Sequence, residues 1–195
     1  ETLSALEAVF LHRPFVLGLR PTEADFGLFA SMFRHFSCDP APARIMRERA
    51  PAVYEWVARM WNLRSECFGS EPFPERIPGD LGDLLAAIGR DYLPYLDANA
   101  SAYARGQQRV HYQAAGAVFV EPVKPYRVWC RDRLHRQFSA LDPAARAEVR
   151  EAMGGGDAVD RLLVPSPKPA PDLIGSLPLP GAPGKGAVAD SWWRK

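Results

Sequence analysis

Arg13-Pro14-Phe15-Val16-Leu17-Gly18-Leu19-Arg20-Pro21-Thr22-Glu23-Ala24-Asp25-Phe26 spells a loop, a helix cap and the opening of a core helix. Gly18 permits a positive φ where the chain reverses, and Pro21 sets an extended entry into the next helix. Thr22 is spaced to accept a hydrogen bond from the amide of Asp25 while the Asp25 carboxylate reaches back to the amide of Thr22, the reciprocal arrangement of a capping box. Two amides left open by the helix start are thereby satisfied, and loss of such a cap costs about 1 kcal/mol. Thr22 and Asp25 therefore read as a structural helix cap and not as catalytic groups. Beyond them, Phe26, Leu28, Phe29, Met32, Phe33 and Phe36 cover most of a helix circumference, which predicts a helix buried in the middle of a helical domain.

The neighbouring segments are helical as well. Leu3, Leu6, Val9 and Phe10 recur at helical spacing and predict a helix that packs on the central one, ended by Pro14 and Gly18. Cys38-Asp39-Pro40-Ala41-Pro42 carries helix-start chemistry, with Ile45 and Met46 in a short helix ending at Arg49. Pro51 suits a first helical position, and Val53, Trp56, Val57, Met60 and Trp61 then form a core stripe.

The run Arg13-Pro14-Phe15-Val16-Leu17-Gly18, with Pro21-Thr22 and Ala24-Asp25-Phe26 after it, resembles the all-helical C-terminal domain of the glutathione transferase superfamily, in which a Ser/Thr-x-x-Asp cap opens the central helix. Ala50-Pro51-Ala52-Val53-Tyr54-Glu55-Trp56-Val57-Ala58-Arg59-Met60 is similar to the family's next Pro-initiated helix, which bears a Trp. The resemblance covers residues 1–66; beyond them the chain is similar to C-terminal extensions of bacterial-type transferase-like proteins. In that family a thioredoxin-like domain comes first, binds glutathione and supplies the Tyr, Ser or Cys that activates its thiol. The chain opens at Glu1 inside a segment that reads as a helix, so it is expected to be a fragment lacking that domain and the first part of the helical domain. The resemblance then implies no catalytic and no cofactor-binding residue here, with glutathione the co-substrate of the parent family. It implies the helical wall of a hydrophobic electrophile site and a dimer surface, not competent for conjugation alone. The partners implied are a hydrophobic small molecule, the thioredoxin-like domain and a second copy of the chain. The alternative is a non-catalytic binding or assembly module on the same fold.

Composition narrows the remaining classes. A chain of 195 residues, 47% hydrophobic, can bury one substantial core with a smaller appended subdomain. A formal net charge of +1 argues against nucleic acid as a whole-protein target. No stretch has the uninterrupted apolar length needed to cross a bilayer, and no basic-then-apolar leader precedes the first helix, so a soluble cytoplasmic protein is expected. Cys38, Cys67 and Cys130 are too few and too widely spaced for a disulfide framework or a zinc knuckle, and are expected to be reduced, partly buried thiols. His12, His35, His111 and His135 lie on separate predicted elements without metal-ligand spacing, so no metal is expected.

Downstream of residue 64 the pattern loosens and then resumes. Residues 65–78 carry three prolines and a glycine, which predicts an irregular connection and a boundary. Leu81, Leu84, Leu85, Ile88, Tyr92 and Leu96 form the apolar face of a long helical segment, with Pro94 predicting a kink near Gly89 to Asp91. Residues 108–123 alternate around Ala115-Gly116 and predict a β-hairpin. Pro125 opens a helix whose predicted apolar stripe is Tyr126, Cys130, Leu134, Phe138 and Leu141, with Trp129 flanking it, and Asp142-Pro143 starts another over 144–153. From 154 to 195, seven prolines and seven glycines predict a disordered tail, whose terminal Trp192-Trp193 is a weak docking motif. The fold class is mainly α, a helical bundle of the glutathione transferase C-terminal type with a small β-hairpin plus helices appended and a disordered Pro/Gly-rich tail. The expected division is 1–66, 67–153 and 154–195.

Two features bear chemistry. Cys130 is flanked by Arg127, Arg131 and Arg133, a setting that lowers a thiol pKa, although its place on the apolar stripe points to burial. Lys124, Arg127, Arg131, Arg133, His135 and Arg136 face only Asp132 as a local acid. That run is either a solvated helix face or an anion-binding surface for a carboxylate, a phosphate or an acidic partner, with Arg127 and Arg131 as the candidate residues.

Overall fold

Helix α1 (Thr2–Phe10) turns Leu6, Val9 and Phe10 into the interior, as the helical spacing predicts. Coordinates come from a computed structural model that describes residues 2–64, 66 and 69–171; Cys67 and Trp192-Trp193 lie outside these residues. The chain forms two compact units, one of Glu1–Arg90 with Asp142–Val159 and the other of Asp91–Leu141 with Asp160–Lys195. This differs from the expected division, because the helix after Asp142 belongs with the first unit.

In the first unit, the loop after α1 reverses at Gly18, which has φ 125° and exchanges backbone hydrogen bonds with Phe15 at 3.1 and 3.2 Å. Helix α2 (Glu23–Ser31) runs on into a π-helical turn over Met32–Ser37, and α3 (Pro40–Arg49) and α4 (Pro51–Trp61) come next, each begun by a proline. Leu6, Val9, Met46, Val53 and Trp56 are fully buried, and Phe10 stacks on Trp56 with ring centroids 4.6 Å apart. Two expectations need correction. Among the residues of α2 the buried one is Asp25, while Phe26 is 55% exposed, because a nine-residue helix packed on one side leaves the rest of its apolar circumference outward. Trp61 is likewise 64% exposed, at the last turn of α4.

The predicted kink before Pro94 takes a specific form. Helix α5 (Gly82–Ala87) passes into a π-helical turn at Ile88–Tyr92 before α6 (Leu93–Ala104), whose first turn holds Pro94, where its missing amide has no intrahelical partner to lose. Gly89 lies in that turn against Met153, at the end of α8 (Pro143–Ala152). Asp142 caps α8, accepting from the amides of Ala144 and Ala145 at 2.8 and 3.0 Å.

The second unit is built on α6. Strands β1 (Arg109–Ala114) and β2 (Ala117–Pro122) pair antiparallel with Tyr112 opposite Phe119, and Ala115 and Gly116 turn with φ 49° and 77°. The hairpin packs on α6 through buried Val110 and through the Tyr112 ring, 4.4 Å from that of Tyr95. Buried Asn99 of α6 fixes the entry to α7 (Pro125–Ala140), bonding both the carbonyl and the amide of Lys124 at 3.0 and 2.9 Å.

Helix α7 is rotated from the predicted stripe. Its buried residues are Val128, Arg131 and Phe138, whereas Tyr126 is 53% exposed and Leu141 is also exposed. The polar members of the inward face are satisfied by segment 160–166, which the composition assigned to a disordered tail. Residues Asp157–Asp160 form a short helix α9, continued by a 3-10 turn at Arg161–Leu163, with Val159 and Leu162 buried. Isolated apolar residues among Gly and Pro were enough to anchor this segment. No helix among the described residues is long and apolar enough to cross a membrane.

Candidate functional site

The Thr22–Asp25 pair forms the capping box, and its carboxylate does more than cap. Oδ2 of Asp25 accepts from the amide and the hydroxyl of Thr22, each at 2.9 Å. Oδ1 accepts from the amide of Val16 at 2.9 Å and from the indole N–H of Trp56 at 3.1 Å. One fully buried side chain thus ties the loop, the start of α2 and the middle of α4 together. Around it, Arg13 bonds the Val16 carbonyl at 2.9 Å and grips Asp80 through both terminal nitrogens at 2.6 and 2.8 Å. Glu7 of α1 accepts from the amides of Ala52 and Val53, each at 3.1 Å, supplying the first turn of α4 with the anionic cap that Ala50 lacks. All these groups hold backbone or each other, which is the chemistry of a scaffold.

An aromatic ridge runs over this scaffold. The rings of Phe29 and Phe33 stack at 5.4 Å, Phe33 stacks on Trp61 at 4.6 Å, and Phe29 meets buried Trp56 edge-on at 6.4 Å. Exposed Phe26 lies one helical turn before Phe29. The ridge offers π-faces and apolar edges, and so suits a hydrophobic ligand or a second apolar surface.

A capped helix fed by this loop, with a Pro-initiated, Trp-bearing helix after it, fits the match of residues 1–63 to the family model of the glutathione S-transferase C-terminal domain. Residues 1–63 are thus similar to a glutathione S-transferase C-terminal domain. No curated protein and no solved structure matches the chain at a significant level. In the matched segment the Asp25 carboxylate has its two oxygens occupied by four donors, the Thr22 hydroxyl among them, and so serves as a buried tie.

In the second unit the structure separates the two residues of the expected anion patch. Arg131 is 4% exposed, with Nε on Asp97 at 2.5 Å, Nη1 on the Val164 carbonyl and Ser166 hydroxyl, and Nη2 on the Arg161 carbonyl. A guanidinium with all three nitrogens engaged in the interior offers no anion site, and Arg131 drops out of the patch. Arg127 remains half-exposed, donating from Nη1 to the Tyr92 hydroxyl at 3.0 Å. The phenol of Tyr92 is pushed up by burial, with the Arg127 charge pulling the other way.

Cys130 is half-buried, and Cys38 is exposed, in contrast to the expected partial burial. A hydrogen bond with Cys130 holds the neighbouring Tyr126 hydroxyl above its ordinary range. Among the described residues no cluster of three His, Cys, Asp or Glu side chains is placed to hold a metal ion. Sequence reasoning missed the four-donor role of Asp25 and the inward turn of Arg131. A signal for the first was present, since an Asp cap and a Trp on a neighbouring helix are both in the motif.

Proposed function

We propose that residues 1–63 contribute the helical wall of a hydrophobic electrophile site in a glutathione transferase-like protein. The observation that carries this reading is the ridge of half-buried Phe29 and Phe33 flanked by exposed Phe26 and Trp61, on a segment similar to the glutathione S-transferase C-terminal domain. Stacked rings 4.6 Å apart present a flat apolar surface to a planar electrophile without side-chain reorganisation. The thiol-activating group belongs, in this family, to the thioredoxin-like domain, so the 195-residue chain alone is inactive in conjugation. Glutathione enters as co-substrate of the complete protein, a homodimer surface lies on the same domain, and the location is cytoplasmic.

The test is a binding and turnover experiment on the chain with a chloro-nitrobenzene substrate. Binding is expected to quench tryptophan fluorescence, with Trp61→Ala weakening it about 10-fold, in keeping with the loss of a large aromatic contact. Turnover with glutathione is expected to equal the uncatalysed rate. Measurable conjugation by the chain would overturn the predicted inactivity, and unchanged binding in Trp61→Ala would remove the ridge from the site.

The second reading, a non-catalytic binding or assembly module, is favoured by the same exposure, since 64% exposure of a Trp suits a protein partner as well as a ligand. Concentration-dependent self-association that is lost in Trp61→Ala, together with no electrophile binding, would select it.

A further inference from the structure

The hairpin of the second unit has two edges of opposite character. The 3.0 Å bond from the Val123 amide to the Gln108 carbonyl fixes which residues of the register exchange hydrogen bonds within it. Alternation along an antiparallel ladder then gives the bonded pairs Val110–Glu121, Tyr112–Phe119 and Ala114–Ala117. The amides and carbonyls of the residues between them point away from the hairpin, those of Arg109, His111 and Gln113 along the β1 edge and those of Val118 and Val120 along the β2 edge. Arg109, His111 and Gln113 are exposed and polar, which blunts the β1 edge against further pairing. Residues 117–120 give the β2 edge no such protection. They are uncharged and exposed, Val118 by 67%, Phe119 by 40% and Val120 by 41%. Arg109 Nη2 reaches the Val120 carbonyl at 3.0 Å, and that oxygen keeps a second lone pair for another donor.

The β2 edge is its own complement. Two copies of β2 running antiparallel about a two-fold axis through Phe119 set Val118 against the second copy's Val120, Phe119 against Phe119 and Ala117 against Glu121. Val118 and Val120 each present amide and carbonyl to this neighbour, so each Val118–Val120 pair exchanges two backbone bonds. The ladder ends by itself, because its next bonded position falls on Pro122, which has no amide, opposite Gly116 of the turn. No like charges face each other, since Glu121 lies opposite Ala117. On the inner face a row of rings runs from Tyr95 of α6 to Tyr112 at 4.4 Å and on to Phe119 at 5.4 Å, where it ends on an exposed ring. Pairing through Phe119 continues that row into the second copy, at the non-bonded position where side chains approach most closely. The helices beneath have room. Val110 and Tyr112 seat α6 against β1, and the two β1 strands would lie three strand spacings, about 14 Å, apart, more than one helix diameter.

We infer that β2 pairs with β2 of a second copy of the chain, joining the two hairpins into one antiparallel sheet in the order β1-β2-β2-β1. A second copy is favoured over a foreign strand because the edge supplies apolar opposite apolar at every position from 118 to 120 and a proline that limits the ladder symmetrically. The inference rests on residues 109–122, outside the matched segment 1–63, and stands or falls separately from the transferase reading and from association through Trp61.

Sedimentation of the full chain carrying Trp61→Ala, which removes association through the aromatic ridge, is followed from micromolar to near-millimolar concentration. A monomer–dimer equilibrium is expected. Val118→Pro, added to this chain, removes an amide that points away from β1, so the hairpin keeps its own ladder while the dimer is expected to weaken at least about 10-fold. The register is read independently by oxidation, in a chain with Cys38→Ser and Cys67→Ser. Phe119→Cys is expected to form a disulfide-linked dimer readily, its two backbones being about 4.5 Å apart at this position. Val118→Cys is expected to form one at least about 10-fold more slowly, since its own equivalent lies diagonally, about 7–8 Å away. A chain that stays monomeric at every concentration would leave the edge to a strand from another protein and overturn the inference. A dimer undiminished by Val118→Pro, or cross-linking in Val118→Cys as fast as in Phe119→Cys, would overturn it as well.

Discussion

The indole N–H of Trp56 donates to Oδ1 of Asp25 at 3.1 Å, joining two helices across 31 residues of chain in a fully buried pair. Because the same carboxylate takes the amides of Val16 and Thr22 and the Thr22 hydroxyl, truncation leaves four donors without this acceptor, at about 1–3 kcal/mol for each buried one. Asp25→Ala is therefore expected to destabilise the first unit by about 3–5 kcal/mol, well beyond the roughly 1 kcal/mol of a surface cap. Urea unfolding tracked by tryptophan fluorescence measures it. A loss no larger than that of Thr22→Ala would show that Asp25 acts only as a cap.

The cap itself was legible because its two residues sit at a fixed local spacing, Thr22 to Asp25. The bond to Trp56 was not, since it depends on how α2 and α4 cross. The proline-started helices, the hairpin turn at Ala115-Gly116 and the break before Pro94 were legible for the same local reason. Helix α7 was misread because sequence counts Arg131 and His135 as solvent-facing, and it is the Asp97 carboxylate with the carbonyls of Arg161, Val164 and Leu162 that makes their inward placement favourable. Phe26 and Trp61 were assigned to the core because hydrophobicity marks the residues able to be buried, not those a neighbour covers.

Gly89 sets two principles against each other. In a helix interior Ala is favoured over Gly by about 1 kcal/mol. A Cβ at this position, however, would clash with the Met153 carbonyl oxygen, a backbone atom that moves only with the end of α8. Overpacking of this kind costs about 1–3 kcal/mol and outweighs the propensity gain. Gly89→Ala is expected to lower the thermal midpoint; a rise would mean that α8 shifts freely.

Ala115 has φ 49° without being glycine, next to Gly116 at 77°. Positive φ at both central positions is the geometry of a type I′ hairpin turn, for which Asn-Gly is the preferred pair. Ala115→Asn is expected to stabilise the hairpin by about 0.5–1 kcal/mol, keeping the 3.0 Å bond from the residue 115 amide to Asp91. Amide hydrogen exchange across β1 and β2 reads the effect, and faster exchange in the variant would contradict it.

Arg131 and Asp97 form a pair with side chains 5% and 17% exposed, joined at 2.5 Å. Removing one partner of a buried pair costs about 3–5 kcal/mol, whereas removing both costs much less; without Arg131, Asp97 keeps only the 3.2 Å contact to the exposed Arg161 guanidinium. Arg131→Met is expected to destabilise the second unit strongly, and Arg131→Met with Asp97→Leu to recover a large part of the loss. A double variant as unstable as the single one would show that the carbonyl bonds to Arg161 and Val164, rather than the ion pair, hold α7 in place.

Tyr112 is pushed up to about 12, first by desolvation under the hairpin and next by its hydrogen bond to Glu121, which holds the phenol in its proton-donating form. Its folded-state value lies above the ordinary value of 10.0, so between these limits the folded state binds more protons than the unfolded one. Stability is therefore expected to be unaffected by this group below pH 10 and to fall as pH rises from 10 toward about 12. Ultraviolet absorbance titration should show one tyrosine ionising near the upper limit, and Glu121→Gln should move it downward by removing both the carboxylate acceptor and its charge. An unchanged titration in Glu121→Gln would leave desolvation as the whole cause, and ionisation of every tyrosine near pH 10 would mean that Tyr112 does not lie against Tyr95 in solution.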